Sequence, residues 1–225
     1  MNQEGAGERF LTLLPPEERF EYHRFESDDR RREFLWSRLL LRFLLAGYLK
    51  KDMRDLKFSA KDHGKPFLAD SELRFNLSHT AGWIACSFSL REVGIDIEKT
   101  EPKRPWALIA KRFFTSEEID YLFACPDDSQ ARIFYQIFTM KEAYVKALGG
   151  GMAQFGGFTV PLPLAEQSRL GRWEYFSQTS QSEGYCLSHV VDNGGAVGRY
   201  QIRDWDQASL GAVLEPCDFY FRRVS

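Results

Sequence analysis

Two carboxylates lie two residues apart in the segment VGIDIEKT, residues 93 to 100, where they alternate with apolar side chains as in a strand. Because successive side chains of a strand point to opposite faces, Asp96 and Glu98 share one face and the two isoleucines share the other. Neighbouring carboxylates disfavour each other's ionised form unless a positive charge stands between them. A divalent cation would supply that charge. The alternative is a half-solvated strand whose acidic face meets water, with Lys99 as a local partner.

A third carboxylate comes from the segment FTMKEAYVKALG, in which a helical pattern contains Lys141, Glu142 and Lys146. Glu142 and Lys146 are four residues apart, a spacing that also suits an ion pair within one helix. Three carboxylates form a half-shell of oxygen ligands for Mg²⁺, which keeps several waters and is commonly shared with substrate phosphates. The set therefore predicts chemistry on a diphosphate, in which the metal neutralises the leaving group and a lysine stabilises its developing charge.

Two further segments contain residues that suit phosphate binding. HGKPFL is predicted to be a turn that presents Lys65, and FNLSHTAG places Ser78 and His79 at the end of an extended run. Taken alone, the first segment is typical of a turn with an exposed lysine, and a single histidine is more often structural than functional. Together with the acidic segments, both indicate a site for a phosphorylated substrate.

Two helices are predicted to position these segments. Residues 28 to 50 begin with acidic residues and repeat apolar positions at helical spacing, which predicts a long amphipathic helix. Its arginines form either a solvated flank or one wall of an anion pocket: Arg30, Arg31, Arg32, Arg38 and Arg42. The segment QARIFYQIFTMKEAYVKALGGGM predicts the strongest helix, with a glycine run as its stop. One face of this helix is predicted to contain Phe134, Phe138, Val145 and Leu148.

The rest of the chain indicates short strands around these helices. Extended segments precede and include VGIDIE, and others follow the second helix in GFTVPL, WEYFS, GYCLSHVV and YQIRDW. A further helix is predicted to begin with a capping box made by Thr115 or Ser116 and Glu118. The order helix, sheet, helix, sheet predicts an α+β protein of two similar halves, residues 1–104 and 105–225, joined by the linker TEPKRP.

The composition excludes several classes of protein. With 225 residues, 44% of them hydrophobic, the chain is long enough for one large domain or two of about 100 residues. A formal net charge of −2 gives no broad basic field, so no nucleic-acid partner is predicted. No stretch approaches the ~18 apolar residues of a membrane span, and the N-terminus lacks a secretory pattern, which predicts a cytoplasmic protein without a membrane partner. The cysteines form no C-x-x-C pair, which argues against a zinc knuckle or a disulfide scaffold.

The paired segments VGIDIE and FTMKEAYVK, with Glu142 following Glu98 by 44 residues, resemble the signature of the 4′-phosphopantetheinyl transferases. GKP and NLSHT are similar to accessory motifs of the surfactin-synthetase-type branch of that family. The resemblance spans residues 24 to 160. It implies two similar α+β halves with the active site at their junction. It also implies transfer of the 4′-phosphopantetheine arm of coenzyme A to a serine of an acyl or peptidyl carrier protein, with release of 3′,5′-ADP.

The resemblance assigns roles to individual residues. Asp96, Glu98 and Glu142 match the family's Mg²⁺ ligands, with Mn²⁺ as an alternative ion, and Glu142 also matches a base for the attacking serine. Lys146 matches the lysine that contacts the diphosphate and assists departure of 3′,5′-ADP, so that the catalytic set is Asp96, Glu142 and Lys146. Further contacts with coenzyme A are implied at Lys65, Ser78, His79 and Thr100 and, on the first long helix, at Arg32 and Arg38.

One position departs from the family, because Phe138 replaces the usual tryptophan and is expected to keep its aromatic packing role. The carrier protein is predicted to dock an acidic helix near QFGGFTV, and a monomer is expected. Two other functions stay open: a coenzyme A or nucleotide sensor that binds without turnover, and a metal-dependent nuclease. The nuclease interpretation rests on the acidic strand alone and leaves FTMKEAYVK and NLSHT unexplained.

Overall fold

The computed structural model describes five parts of the chain: residues 10–60, 65–80, 83–101, 103–180 and 184–194. These residues form two compact units, the first from residue 10 to Lys57 and the second from Phe58 to residue 194. Helices and antiparallel sheets are both present, which confirms the predicted α+β class. Among the described helices, none is long and apolar enough to cross a membrane.

The first unit is helical. It contains α1 (Pro16–Arg24) and α2 (Asp28–Leu49), and α2 confirms the long helix predicted from the sequence. Two aspartates lie in the first turn of α2, where negative charge favours the positive end of the helix dipole. Its apolar stripe forms the core of the unit, with these leucines buried: Leu35, Leu39, Leu41 and Leu45.

Arg42 belongs to the interior of this unit and not to an exposed flank. Its guanidinium donates to both carboxylate oxygens of Glu18 on α1, at 2.8 and 3.1 Å. It also donates to the carbonyl oxygens of Met53 and Leu56, at 2.7 and 3.0 Å. A buried arginine is tolerated when its charge and its donors are satisfied in this way. Arg42 therefore joins α1, α2 and the turn that follows α2.

The second unit contains three antiparallel sheets within the described residues. Two of them are two-stranded, with β1 (Phe58–Ala60) pairing with β2 (Pro66–Leu68) and β3 (Arg74–Thr80) pairing with β4 (Trp83–Ser89). The third has four strands in the order β5-β8-β7-β6. Their bounds are β5 Val93–Lys99, β6 Gln167–Leu170, β7 Trp173–Ser180 and β8 Tyr185–Asp192.

The four-stranded sheet takes strands from both sides of the boundary predicted at residues 104 and 105. β5 precedes that boundary, and it pairs along its whole length with β8, which follows it. The two compact units instead divide between Lys57 and Phe58. A division of the chain into two similar halves at residue 104 stays a prediction.

Three helices accompany this sheet: α3 (Trp106–Phe113), α4 (Ser116–Ala124) and α5 (Asp127–Leu148). α4 begins with the predicted capping box, and its N-cap is Thr115. The Thr115 hydroxyl accepts from the backbone nitrogen of Glu118, and the Glu118 carboxylate accepts from the backbone nitrogen of Thr115. α5 is the predicted long helix, and it ends where Gly149 adopts a left-handed conformation with φ 76°.

Most of the predicted core face of α5 is buried, including Phe134, Phe138 and Val145. The prediction for Leu148 is wrong, because its side chain is 53% exposed. Leu148 is the last residue of α5, and the chain turns away at Gly149 immediately after it. A helical pattern therefore overestimates burial at the end of the helix, where no neighbouring turn continues the packed face.

The predicted strands after α5 are confirmed in part. WEYFS and GYCLSHVV correspond to β7 and β8, whereas GFTVPL forms no strand and β6 was not predicted. The segment YQIRDW and the first part of the predicted turn, residues 61–64, lie outside the described residues. Cys86, Cys125 and Cys186 are free thiols, as their spacing predicts.

Gly94 allows α5 to lie directly on β5. A Cβ atom built at Gly94 would come 1.9 Å from the carbonyl oxygen of Ala143 and 2.6 Å from the backbone nitrogen of Ala147. The helix side of this contact is also made by small residues. Because backbone lies against backbone, the residues adjacent to the alanines, Glu142 and Lys146, are brought close to the residues that follow Gly94.

A buried ion pair fixes the other side of α5. The ammonium of Lys141 donates to Glu118 at 2.8 Å and to the carbonyl oxygen of Phe158 at 2.5 Å, and both charged side chains are fully buried. Glu118 also accepts from the backbone of Val160 and of Thr115. Burial lowers the pKa of Lys141, although Glu118 opposes that shift. Lys141 thus ties α5 to α4 and to the segment after α5, which leaves the adjacent Glu142 facing elsewhere.

The Gly94 contact predicts a strong effect of one methyl group. Gly94→Ala should destabilise the protein by at least about 2 kcal/mol, because the clash is with backbone atoms that cannot rotate away. Urea denaturation followed by circular dichroism measures this change. The matched control is Gly156→Ala, where a Cβ meets no atom within 4 Å, and it should leave the transition nearly unchanged. A wild-type transition for Gly94→Ala would contradict the packing of α5 on β5.

Candidate active site

Asp96 is the centre of a buried polar cluster between β3, β5 and α5. Its side chain is almost fully buried, and its Oδ1 accepts from the hydroxyl of Ser78 at 2.8 Å and from the ammonium of Lys146 at 2.6 Å. Its other oxygen, Oδ2, is buried and has no hydrogen-bond partner among the described residues. A buried carboxylate oxygen without a partner costs free energy, and it offers a position at which a cation can bind.

Lys146 reaches across from α5 to β5. Besides Asp96, its ammonium lies 3.1 Å from the hydroxyl of Ser78 and 3.4 Å from the carbonyl oxygen of Ile95. In the described part of the chain, no ion pair joins Lys146 to Glu142, so the alternative of a simple ion pair within the helix is not what the structure has. The Lys146 side chain is 27% exposed, which leaves part of the ammonium open to a bound anion.

Glu98 and Glu142 complete a row of three carboxylates. Burial raises the pKa of Glu142 to about 7, and the charges of Asp96 and Glu98 add to the shift while Lys146 opposes it. Burial, and then the charge of Asp96, also raise the pKa of Glu98. The charge of Asp96 therefore makes ionisation of both glutamates harder, and Glu98 adds to the effect on Glu142, as expected at a site that has excess negative charge.

Arg104 is the cation beside Glu98. Its Nη1 lies 3.8 Å from Oε2 of Glu98, and its guanidinium lies over the ring of Phe138, 5.6 Å from the centroid. The local partner proposed from the sequence, Lys99, is exposed at the end of β5. The acidic face of β5 is thus half-buried and faced by Lys146 and Arg104, and the solvated-strand alternative does not describe it.

The segment NLSHT joins β3 to β5 through side chains. The backbone nitrogens of Ile95, Ile97 and Lys99 donate to alternate residues of β3, at 2.9, 3.3 and 3.3 Å. Their acceptors are the side-chain oxygens of Asn76, Ser78 and Thr80. Alternation places these three side chains on one face of β3, so polar side chains here replace a backbone ladder. These bonds hold β5, the strand that contains Asp96 and Glu98, against β3.

Comparison with known proteins gives two family matches that follow one another along the chain. A model of the 4′-phosphopantetheinyl transferase superfamily matches residues 92–202, and a model of the N-terminal region of a 4′-phosphopantetheinyl transferase matches residues 5–91. The chain is 36% identical over 189 residues to the 4′-phosphopantetheinyl transferase Sfp of Bacillus subtilis, covering 83% of this chain and 81% of that protein. It is also 36% identical to the 4′-phosphopantetheinyl transferase HetI of a Nostoc species, covering 71% and 69%.

The chain belongs to the 4′-phosphopantetheinyl transferases. The resemblance carried by VGIDIE and FTMKEAYVK is therefore confirmed, and the chain is an enzyme of the transferase class. Coenzyme A is the substrate of this family. Individual roles of residues in this transferase are not decided by membership and stay predictions.

Of the predicted site residues of the transferase, the structure brings together those on β3, β5 and α5. These are Ser78, Asp96, Glu98, Glu142 and Lys146. Ser78 has a structural position as well as a predicted contact with coenzyme A, because its hydroxyl bonds to Asp96 and accepts from the backbone of Ile97.

Lys65 is buried and is not the exposed turn lysine that the segment HGKPFL alone would suggest. Its side chain is 8% exposed, and its ammonium donates to Glu92 at 3.0 Å and to the carbonyl oxygens of Val93 and Ala147 at 3.2 and 2.7 Å. These acceptors, all among the described residues, match the donating capacity of an ammonium, which has three hydrogens. In the transferase, Lys65 thus links the start of β5 to the end of α5, and its contact with coenzyme A stays a prediction.

The remaining residues that are predicted to contact coenzyme A lie apart from the Asp96 cluster or belong to the first unit. His79 is exposed, because it follows Ser78 on β3 and so points to the opposite face. Thr100 follows β5, and its backbone nitrogen donates to Gly184 at 2.8 Å. In the first unit, Arg32 lies 3.6 Å from Asp29 and Arg38 lies 3.9 Å from Glu18. Their roles toward phosphate stay predictions.

The sequence pattern assigned no role to three residues that shape this site. Asn76 begins the β3 to β5 ladder, Lys141 fixes the orientation of α5, and Arg104 faces Glu98. The alternation N-x-S-x-T was a signal for the first, because three short polar side chains on one face of a strand need buried partners. Arg104 gave no signal, since it lay in a segment interpreted as a linker.

The donor set of the transferase fits a divalent cation of the kind predicted. Carboxylate oxygens are the ligands that Mg²⁺ prefers, and Oδ2 of Asp96 is a buried oxygen without a partner among the described residues. Across the described ranges, no group of three or more His, Cys, Asp or Glu side chains is already arranged as a complete set of ligands. Lys146 contacts the other oxygen of Asp96, so the carboxylates need local rearrangement to share one ion.

The raised pKa of Glu142 predicts a pH-dependent cost to stability. An unfolded glutamate has a pKa near 4.5, so the folded state holds this proton more tightly, and stability is lost as pH rises from 4.5 through about 7. In metal-free buffer at pH 8, Glu142→Gln should therefore raise the melting temperature, by roughly 2–4 °C after allowing for partial solvation. At pH 5 the gain should be small.

Thermal denaturation of the metal-free transferase at both pH values measures this effect. The matched control is Glu72→Gln, which neutralises an exposed carboxylate in the segment before β3. A lower melting temperature for Glu142→Gln at pH 8 would show that the carboxylate is held by favourable contacts and not crowded by like charges.

Proposed function

We propose that this chain transfers the 4′-phosphopantetheine arm of coenzyme A to a serine hydroxyl of an acyl or peptidyl carrier protein, with Mg²⁺ or Mn²⁺, and releases 3′,5′-ADP. The observation that supports it best is the cluster at the contact of β5 and α5. There a lysine and three carboxylates are held by backbone packing at Gly94 and by the side-chain ladder from β3. Membership in the transferase family supplies the substrate class.

The proposed reaction is a displacement at phosphorus. The serine oxygen of the carrier attacks the β-phosphorus of coenzyme A, and a new P–O bond forms as the bond from that phosphorus to the bridging oxygen breaks. The electron pair of the broken bond leaves with 3′,5′-ADP, and the serine proton passes to Glu142. Without a metal ion, burial raises the pKa of Glu142 to about 7, and a bound cation would lower it, so that Glu142 is ionised and able to accept the proton.

Lys146 is proposed to stabilise the leaving group. Its ammonium is partly exposed and lies 2.6 Å from Asp96, 3.1 Å from Ser78 and 3.4 Å from the carbonyl oxygen of Ile95. A local shift away from Asp96 would let it donate to a phosphate. Asp96, Glu98 and Glu142 would hold the metal ion, which when bound offsets the charge of the diphosphate. The buried Oδ2 of Asp96 is the oxygen that supports this assignment.

Intact-mass spectrometry of apo carrier proteins tests the proposed function. After incubation with the protein, coenzyme A and Mg²⁺, a carrier should gain about 340 Da, the mass of a phosphopantetheine arm. EDTA should abolish the gain, and so should Asp96→Asn, which keeps the volume of the side chain and removes its charge. The control Asp70→Asn changes an exposed aspartate and should transfer like the wild type.

Other outcomes decide between the proposal and its alternatives. Measurable binding of coenzyme A with no gain on any carrier would favour a sensor. Cleavage of DNA that requires the metal and disappears in Glu98→Ala would favour a nuclease. If Asp96→Asn transfers at the wild-type rate, the metal assignment is wrong even though the reaction stands. The same panel of fatty-acid, polyketide and peptide carriers ranks the acceptors.

A substitution of Lys146 separates binding from catalysis. Lys146→Ala should lower kcat by about tenfold to a hundredfold and change KM for coenzyme A less, because the leaving group gains its charge only in the transition state. Steady-state kinetics with a carrier from the panel measure both constants. Exposed Lys51, replaced by alanine, serves as the control. An increase in KM with unchanged kcat would assign Lys146 to binding of the ground state.

A further inference from the structure

Arg104 is a charged residue of the site to which no role has been given. It follows β5 by five residues and precedes α3, and its guanidinium lies between the ring of Phe138 and the carboxylate of Glu98. The ion pair is loose, with 3.8 Å between the nearest charged atoms, and the Arg104 side chain is 34% exposed. A partly exposed pair with this separation adds little to stability, so stability alone does not account for the arginine.

The backbone around Arg104 is fixed from two directions. Its own nitrogen donates to the carbonyl oxygen of Glu101 at 3.0 Å, and its carbonyl oxygen accepts from Trp106 at 2.7 Å. The hydroxyl of Tyr135, a fully buried residue of α5, accepts from the nitrogen of Glu101 at 3.0 Å and lies 3.3 Å from its carbonyl oxygen. α5 therefore holds the turn that presents Arg104 as well as Glu142 and Lys146.

The ring of Phe138 supports the guanidinium without using its hydrogen-bond donors. A guanidinium can remain stacked on an aromatic face while its edge donates to an anion, and the planar edge suits two phosphate oxygens. Lys146 contacts the carboxylate of Asp96, and Arg104 lies beside Glu98, the next carboxylate on the same face of β5. The two cations thus border the acidic row at different carboxylates.

We propose that Arg104 is a second phosphate-binding residue of this transferase, which leaves Glu98 when the diphosphate binds and donates to the phosphoryl group that becomes the 5′-phosphate of 3′,5′-ADP. The inference rests on the proposed function. The charges favour it: three carboxylates face two cations, a bound divalent ion and a diphosphate cancel each other, and the leaving phosphate then gains one further negative charge. Arg104, partly exposed and 3.8 Å from Glu98, is a donor that can meet that charge.

Binding of two nucleotides by the full chain tests the proposal independently of any carrier protein. 3′,5′-ADP has the 5′-phosphate in question, whereas 3′-AMP lacks it, and both are titrated by calorimetry in the presence of Mg²⁺. Arg104→Gln should weaken binding of 3′,5′-ADP by about tenfold or more and leave binding of 3′-AMP unchanged. Arg104→Lys should restore part of the loss, and Lys103→Gln, an exposed neighbour, should bind both nucleotides like the wild type.

Three results would overturn the inference. Equal loss of affinity for both nucleotides would show that Arg104 binds the 3′-phosphate, which both contain. Unchanged affinity for both would show that Arg104 does not bind phosphate and only pairs with Glu98. A defect confined to KM for the carrier protein would assign it to the acidic partner instead. Failure of the wild-type protein to bind either nucleotide or to modify any carrier would remove the proposed function itself, so the two failures are distinguishable.

Discussion

The close contact between α5 and β5 at Gly94 determines the geometry of the candidate site. With no Cβ at this position, helix backbone lies on strand backbone, and alanines face the glycine from the helix. Glu142 and Lys146 are each adjacent to one of those alanines, so the same contact that packs the helix brings them to Asp96. The motif residues are therefore spaced by packing requirements as much as by chemistry.

Crowding of negative charge follows directly from that contact. Burial and the charge of Asp96 raise the pKa of Glu98 and of Glu142, and Lys146 and Arg104 offset only part of this cost of ionisation. A fold that maximised its own stability would avoid such a row, because burying like charges is unfavourable. A divalent cation and a diphosphate would complete this charge balance during function, so relief of the repulsion between the carboxylates would contribute to binding them.

Much of this could be predicted from sequence, and the failures have physical causes. Helical periodicity and a capping box correctly predicted α2, α4 and α5. The alternation of polar and apolar side chains correctly predicted β5, with Asp96 and Glu98 on one face. Leu148 was misassigned because a periodic pattern does not say where a packed face ends. The pairing of β5 with β8, and of Lys65 with the end of α5, depends on contacts between residues far apart in the chain, which local patterns do not encode. Arg104 was missed because its segment, TEPKRP, was interpreted as a linker.

The account depends on a metal ion that binds Asp96, Glu98 and Glu142 together with a phosphate. Crystals of the protein with Mn²⁺ and 3′,5′-ADP, measured for anomalous scattering, test this most directly. The account predicts one strong anomalous peak at inner-sphere distance from oxygens of all three carboxylates, including Oδ2 of Asp96, with Lys146 moved toward the nucleotide. A peak elsewhere, or no peak with Lys146 still paired to Asp96 beside a bound nucleotide, would contradict it.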